Sequence, residues 1–147
     1  MAANIDPIFA LTPRSNVITL ATATLGLRTD GSTGSTSLAT TGANGTKITK
    51  LWAKSREANA GGASTAGTIF LFYGLTASGA AAAFLFDEII FPSATPTTTV
   101  PSARAENLYN DFQLPTGYSI WVSASIKTDL STAILPNIDV GWSAGDL

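Results

Sequence analysis

Short apolar runs alternate with segments rich in glycine, proline and hydroxyl residues, and this pattern predicts an all-β protein. We expect about eight strands, which is enough for a two-sheet antiparallel β-sandwich. Their expected positions are 16–28 (one strand or a pair), 46–58, 68–75, 84–91, 93–102 (an edge strand or a connection), 106–114, 118–126 and 138–142, the last of which closes the sheet.

Two of these runs differ in how completely they are expected to be buried. The run 68–75 is almost continuously apolar, as is typical of a central strand covered on both sides. The run 118–126 alternates, with Ile120, Val122, Ala124 and Ile126 expected inward and Trp121, Ser123 and Ser125 outward. A tight turn at 115–117 precedes it, because proline fixes φ and glycine supplies a positive φ.

Three other segments are less regular. A helix could begin at Ala80–Ala83 and continue into 84–91, but Pro92 and the Phe and Ile residues favour a strand there. The segment 106–114 is open to either structure, and its strand interpretation rests on alternate positions: Leu108, Asn110, Phe112 and Leu114. The segment 29–45 has four glycines and one large apolar residue, Leu38, and we expect a long loop.

The first fifteen residues are expected to form an extended arm, followed by a β-sandwich domain over 16–147. Pro7 and Pro13 prevent a helix, yet the segment is too apolar to remain in water. We expect the arm to bind a neighbouring subunit or another protein through its large apolar residues: Ile5, Ile8, Phe9 and Leu11.

The most charged segment, 46–58, is a second candidate for partner binding. As a regular strand it would carry Lys47, Thr49, Leu51, Ala53 and Ser55 on one face. The opposite face would carry three cations and two apolar residues: Ile48, Lys50, Trp52, Lys54 and Arg56. We expect the second face to meet solvent or a partner, with Lys50, Lys54 and Arg56 opposite an acidic patch.

Composition excludes several classes of function. Only 12% of the residues are charged, the net charge is −2, and Gly, Ala, Ser and Thr make up nearly half of the chain. Such a neutral, hydroxylated surface suits packing against other protein subunits, whereas nucleic-acid binding requires a basic stripe. No apolar run approaches the length of a membrane span, and the N-terminus lacks the features of a signal peptide, so we expect synthesis in the cytoplasm.

Catalytic chemistry is sparse. The chain has neither His nor Cys, so it lacks an imidazole base, a thiol nucleophile and the usual zinc ligands. No Lys follows a Ser at the spacing of a Ser-x-x-Lys pair. Asp87 and Glu88 are adjacent and would point to opposite faces of a strand. We therefore expect no enzyme activity, cofactor or metal.

Several motifs resemble bacteriophage capsid decoration, or cement, proteins of the jelly-roll type. They are the arm sequence Asn4-Ile5-Asp6-Pro7-Ile8-Phe9, the strand start Thr46-Lys47-Ile48, the run FLFDEIIFPS from Phe84, and the hairpin LPTGYSIWVSAS from Leu114. The resemblance implies a jelly-roll-like sandwich and a non-enzymatic, usually trimeric virion protein. Such a protein would lie on the outer capsid surface and clamp adjacent major capsid proteins. The family has no catalytic motif to transfer to this chain.

Two other functions remain open at this stage. A head-fibre, tail-fibre or baseplate subunit would have the same composition and the same tendency to oligomerise. A carbohydrate-binding β-sandwich would instead use an exposed aromatic ring against a sugar, for which the candidates are Trp52, Trp121 and Trp142.

Overall fold

The computed structural model describes residues 12–20, 26, 29, 31–55, 66–93, 102–125 and 138–147. These residues form eight strands: β1 (Thr12–Leu20), β2 (Thr36–Thr40), β3 (Thr46–Ser55), β4 (Gly67–Leu75), β5 (Phe84–Phe91), β6 (Arg104–Leu114), β7 (Tyr118–Ala124) and β8 (Ile138–Asp146). Two 3₁₀ turns, Thr76–Ser78 and Ala80–Ala82, connect β4 to β5. Within these ranges, no helix is long and apolar enough to span a membrane.

The strands form two antiparallel sheets of four. The front sheet has the order β1-β8-β3-β6 and the back sheet has the order β2-β7-β4-β5. The first strand pairs with the last, the second with the seventh, the third with the sixth and the fourth with the fifth. This nested pairing in two facing sheets is the topology of a jelly roll, so the predicted fold class is confirmed.

One apolar core fills the space between the sheets. Because strand side chains alternate in direction, each inner strand contributes every second residue to this core. Leu51 of β3, Ile120 of β7 and Val140 of β8 are fully buried there. Fully burying side chains of this size contributes about 1.5 to 3 kcal/mol each, which makes the core the main source of stability.

Part of the outer face of the back sheet is buried as well. Phe70 and Phe72 of β4 pack with Trp121 of β7 and with Ala83, which follows the second 3₁₀ turn. This second cluster explains the almost continuous apolar run of β4. The prediction of a central strand is confirmed, and its neighbours in the sheet are β7 and β5. Trp121 and Ser123 lie on the predicted outer face, but both are buried.

The predicted long loop over 29–45 is wrong in part, because β2 lies within it. Leu38 is 2% exposed and packs in the core, and β2 pairs with β7 through a register shift between Ser37 and Ala39. A single apolar residue was too weak a local signal for a strand whose partner lies about eighty residues later.

Register shifts also change two predicted strand faces. The register of β3 shifts between Ile48 and Lys50, so Ile48 turns into the core instead of joining the outward face. Because of the same shift in the β3–β6 pairing, Leu108 lies on the opposite face of β6 from Phe112 and Leu114. Leu108 is 71% exposed, whereas Phe112 and Leu114 pack inward. The segment 106–114 is therefore a strand, but its face alternation changes part-way.

The ends of the chain differ from the expected boundaries. β1 begins at Thr12, so residues 12–15 of the predicted arm belong to the front sheet. Residues 1–11 lie outside the described residues. The final strand extends to Asp146 and is hydrogen-bonded on both sides, by β1 and β3, instead of closing the sheet.

The two ends of the sandwich have connections of different length. The segments 41–45, 76–83 and 115–117 lie at one end, which we call the compact end. At the opposite end, β1, β3, β5 and β7 end, and in each case eleven or more residues of the sequence precede the next strand. β1 also starts at the compact end, where Thr12 pairs with Asp146.

A polar cluster joins the two sheets on the side formed by β5 and β6. Asp87 of β5 accepts hydrogen bonds from the Tyr109 hydroxyl and from Asn107 Nδ2 at 2.8 Å, both of β6. Asn107 Nδ2 also donates to the Glu88 carbonyl at 3.1 Å. Burial, followed by the bond to Asp87, raises the pKa of the Tyr109 hydroxyl. These contacts therefore require a neutral tyrosine.

We expect Tyr109→Phe to lower the free energy of unfolding by about 1 to 2 kcal/mol at neutral pH, because Asp87 loses one donor. The raised pKa means that the tyrosine's contribution is complete below the ordinary tyrosine pKa of about 10 and is lost as the pH rises further. Urea unfolding from pH 7 to about pH 11 measures both effects. The role would be contradicted if the difference in the free energy of unfolding between the wild type and Tyr109→Phe did not shrink at alkaline pH.

Candidate interaction surfaces

The predicted basic residues lie on the outer face of the front sheet, but acidic residues of β6 accompany them. Lys50 Nζ is 3.6 Å from Glu106 Oε2, and Lys47 Nζ is 3.8 Å from Asp111 Oδ1. Lys54 is exposed at the end of the same row, whereas Arg56 lies outside the described residues. Exposed pairs of this kind contribute less than about 1 kcal/mol. This face therefore presents mixed charges and not the purely basic strip that β3 alone suggested.

Trp52 lies in the middle of this face, against the backbone of β8. A Cβ atom added to Gly141 would lie 2.3 Å from an indole carbon of Trp52, so the ring occupies the space that any larger residue would need. The Arg104 guanidinium carbon is 5.3 Å from the ring centroid, within the range of a cation–π contact. The ring is thus covered by the molecule's own residues.

None of the three tryptophans forms an open sugar platform. Trp121 is 8% exposed in the outer cluster of the back sheet, and Trp142 is 3% exposed in the core. Trp52 is half-buried beneath Arg104. The indole-platform form of the carbohydrate hypothesis therefore finds no support in the geometry of these rings.

Large apolar side chains are exposed on three different parts of the sandwich. Val17 and Leu108 lie on the outer face of the front sheet, at 50% and 71% exposure. Ile90, at 72%, points away from the core opposite its buried neighbour Ile89. Leu75 and Phe84, at 48% and 70%, lie at the compact end. Contacts with other molecules are therefore available in several directions.

The strand edges are less available, because side chains occupy backbone groups that another strand would need. In β1, Pro13 has no N–H and the Val17 N–H donates to Asn16 Oδ1 at 2.9 Å. In β5, the Glu88 N–H donates to Asp87 Oδ1 at 2.8 Å and its carbonyl accepts from Asn107. These contacts are typical of edges protected against strand addition.

An open cleft of about 330 Å³ separates the edges of β1 and β2, and we call it the edge cleft. Its walls come from β1, β2 and β8: Arg14, Ser15, Asn16, Ser37, Leu38, Ala39, Thr40 and Trp142. Arg14 Nη1 donates to the Thr40 carbonyl at 3.2 Å and to Asp146 Oδ1 at 3.1 Å, so one side chain joins the two sheets across the cleft. Its Cζ lies 5.6 Å from the Trp142 ring centroid.

Asp146 anchors the end of β8 beside this cleft. Its Oδ1 accepts hydrogen bonds from the Thr46 hydroxyl at 2.8 Å and from Arg14. Thr46 in turn accepts the Gly42 N–H at 3.0 Å. The Thr46 bond, and then the Arg14 bond and charge, lower the pKa of the Asp146 carboxyl. The ionised carboxylate therefore holds β1, β3 and β8 together at the compact end.

Sequence reasoning did not find the edge cleft. Its lining residues come from positions 14–16, 37–40 and 142, and only the β1–β8 pairing and the packing of the two sheets bring them together. The expected arm residues Ile5, Ile8, Phe9 and Leu11 lie outside the described residues. The part of the chain that is described contains no group of three or more acidic residues placed to hold a metal ion.

Comparisons of the chain with protein-family models, curated proteins and solved structures found no match.

We expect Gly141→Ala to displace the Trp52 ring from the front sheet, because the new methyl group would overlap the indole. Overpacking of this kind costs about 1 to 3 kcal/mol. Acrylamide quenching of fluorescence should increase, since Trp121 and Trp142 are buried and the change reports on Trp52. Ser143→Ala, on the same face of the same strand, is the control. Equal quenching in both variants would contradict the contact.

We expect the protein to lose stability as the pH falls, in part through Asp146. Because its pKa is lower in the folded protein, its contribution is complete above the ordinary aspartate pKa of about 3.9 and is lost as the pH falls through the folded value. The urea midpoint of Asp146→Asn should therefore be lower than that of the wild type at neutral pH. The two midpoints should approach each other in acid. Asp111→Asn, whose side chain is 82% exposed, should instead follow the wild-type curve. If the difference in urea midpoint between Asp146→Asn and the wild type were the same at every pH, this role of the ionised carboxylate would be contradicted.

Proposed function

We propose that this chain is a non-enzymatic structural protein of a virion. In this proposal it is a decoration protein that binds the outside of a bacteriophage head as a homotrimer and stabilises contacts between major capsid proteins. Its assembly would require no cofactor, nucleic acid or membrane.

The observation that carries the proposal is the distribution of exposed apolar side chains. Val17 and Leu108 lie on the two edge strands of the front sheet, Ile90 lies on the back sheet, and Leu75 and Phe84 lie at the compact end. A protein with a single binding partner would need apolar contacts on one side, whereas a subunit inserted among several neighbours can use them in several directions. Each such contact is small, but simultaneous engagement of several sites by an oligomer multiplies weak contacts into tight binding.

The mixed charges of the front face support the same proposal. Lys50 and Arg104 both lie close to Glu106 on this face, at 3.6 Å and 3.0 Å. A face with internally paired charges and few net charges can pack against protein without leaving an isolated charge buried. The jelly-roll topology occurs in viral capsid domains and in lectins, so it agrees with the proposal by analogy alone.

A subunit of a head fibre, tail fibre or baseplate is the alternative, because it would use the same kinds of surface. Attachment to heads distinguishes the two. A carbohydrate-binding module is the third function, and it would bind a glycan without requiring oligomerisation.

The test is the native mass of the purified chain, followed by co-sedimentation with empty phage heads from the host that carries its gene. We expect a mass of three times 15.1 kDa by light scattering and saturable binding to heads. Leu108→Ser should weaken head binding or trimer formation about tenfold or more, since burying a leucine contributes about 1.5 to 3 kcal/mol. Its thermal midpoint should remain unchanged because Leu108 is exposed.

Gln113→Ser is the matched control, because Gln113 is also exposed and lies on the outer face of β6. Deletion of residues 1–11 tests the arm without removing any residue of β1. A monomer that does not sediment with heads would overturn the proposal. A trimer that sediments with isolated tails or fibres and not with heads would favour the alternative.

A further inference from the structure

The edge cleft contains an unusual concentration of hydrogen-bond donors. Trp142 is only 3% exposed, and its buried indole N–H has no hydrogen-bond partner among the described residues. A buried donor without a partner destabilises the folded protein, so a ligand that accepts this hydrogen bond would be favoured at the site.

Two neighbouring side chains add further donors. Arg14 uses only Nη1 in its hydrogen bonds to described residues, which leaves the N–H groups of Nε and Nη2. Asn16 uses its Oδ1 to accept the Val17 N–H, which leaves its Nδ2 group. Acceptors are few among the cleft side chains, where Ser37 and Thr40 contribute hydroxyls that both donate and accept.

We propose that the edge cleft binds a small hydroxylated ligand through its carboxylate, as an acidic monosaccharide unit would be bound. Arg14 contributes the charge and the planar pair of donors that matches a carboxylate. Trp142 contributes the buried N–H, and the exposed residues Asn16, Ser37 and Thr40 contribute polar groups for ligand hydroxyls.

The size and charge of the cleft limit the ligand class. About 330 Å³ lies at the small end of the range for ligand pockets, about 300 to 1,000 Å³, and suits a single sugar ring. Asp146, 3.1 Å from Arg14 Nη1, already neutralises part of the guanidinium charge. The remaining positive charge favours a monoanion such as a carboxylate over a dianion. This inference does not depend on the proposed function, because a ligand site can occur on a decoration protein, a fibre or a free module.

The test is the indole N–H region of a ¹H–¹⁵N NMR spectrum, in which the chain gives three signals, one for each tryptophan. Trp142→Phe assigns the signal of Trp142. We expect sodium glucuronate to shift this signal saturably and leave the other two tryptophan signals unchanged. Glucose at the same concentration, with sodium chloride added to match ionic strength, should produce no shift. Acetate should produce a weaker shift if the carboxylate is the group recognised.

Two variants distinguish a ligand site from a structural contact. Arg14→Gln should weaken glucuronate binding about tenfold or more, because a charged donor pair is lost. Asp146→Asn should strengthen it, because the carboxylate that competes for Arg14 Nη1 is removed. Both variants lose the same Arg14–Asp146 pair. If that pair had only a structural role, the two variants would change the affinity for glucuronate in the same direction. Thermal unfolding establishes that each variant is folded.

Several outcomes would overturn the inference. Equal shifts with glucose and glucuronate would show a neutral sugar site. Equal shifts with sulfate and glucuronate would show unspecific anion binding. No shift of the Trp142 signal with glucuronate or acetate would show that the cleft does not bind a carboxylate.

Discussion

The insertion of the last strand, β8, between β1 and β3 is the interaction on which the rest of the structure depends. β8 is hydrogen-bonded on both sides along its length, and its inward residues Ile138, Val140 and Trp142 form the centre of the core. Its outward Gly141 provides the place for Trp52, and its terminal Asp146 binds Arg14 and Thr46. The core, the front face and the edge cleft therefore all depend on the same nine residues.

Polar contacts bridge the two sheets on both open sides of the sandwich. Asp87, Asn107 and Tyr109 join β5 to β6, and Arg14 joins β1 to the Thr40 carbonyl of β2. These contacts differ in their pH dependence, because Tyr109 acts in its neutral form and Asp146, the partner of Arg14, acts as a carboxylate. The sandwich is thus stabilised by its apolar core and by polar contacts along its two open sides. The Tyr109 contacts weaken at high pH and the Asp146 contacts weaken at low pH.

The same side chains influence how the protein can associate. Asn16 and Asp87 occupy backbone N–H groups of β1 and β5, two of the four edge strands, and this opposes pairing with another chain at those positions. The exposed apolar residues lie instead on the sheet faces and at the compact end. Association through faces leaves each sandwich intact, which suits a subunit that is added to an existing assembly.

The local pattern of apolar and polar residues was sufficient to predict where most of the strands lie. It was not sufficient to predict which face of a strand each side chain is on. The buried run of β4, the strand β7 and the Pro115–Gly117 turn are as predicted, and Gly117 has the expected positive φ of 80°. β2 was missed because its single large apolar residue, Leu38, finds its contacts only in the folded core. Ile48 was predicted on the outward face, and Leu108 at the same alternate positions as Phe112 and Leu114. Both predictions fail because a register shift depends on the neighbouring strand and leaves no mark in period-two alternation.

The sequence by itself determined the all-β class, the absence of histidine and cysteine chemistry, and the neutral surface, because these follow from composition and from the spacing of apolar residues. Only the tertiary structure decided which charges are paired, which tryptophans are covered and where a cleft lies. Arg14, Thr40 and Trp142 meet because the first strand pairs with the last and the two sheets face each other. Such contacts depend on residues more than one hundred positions apart, and no local pattern encodes them.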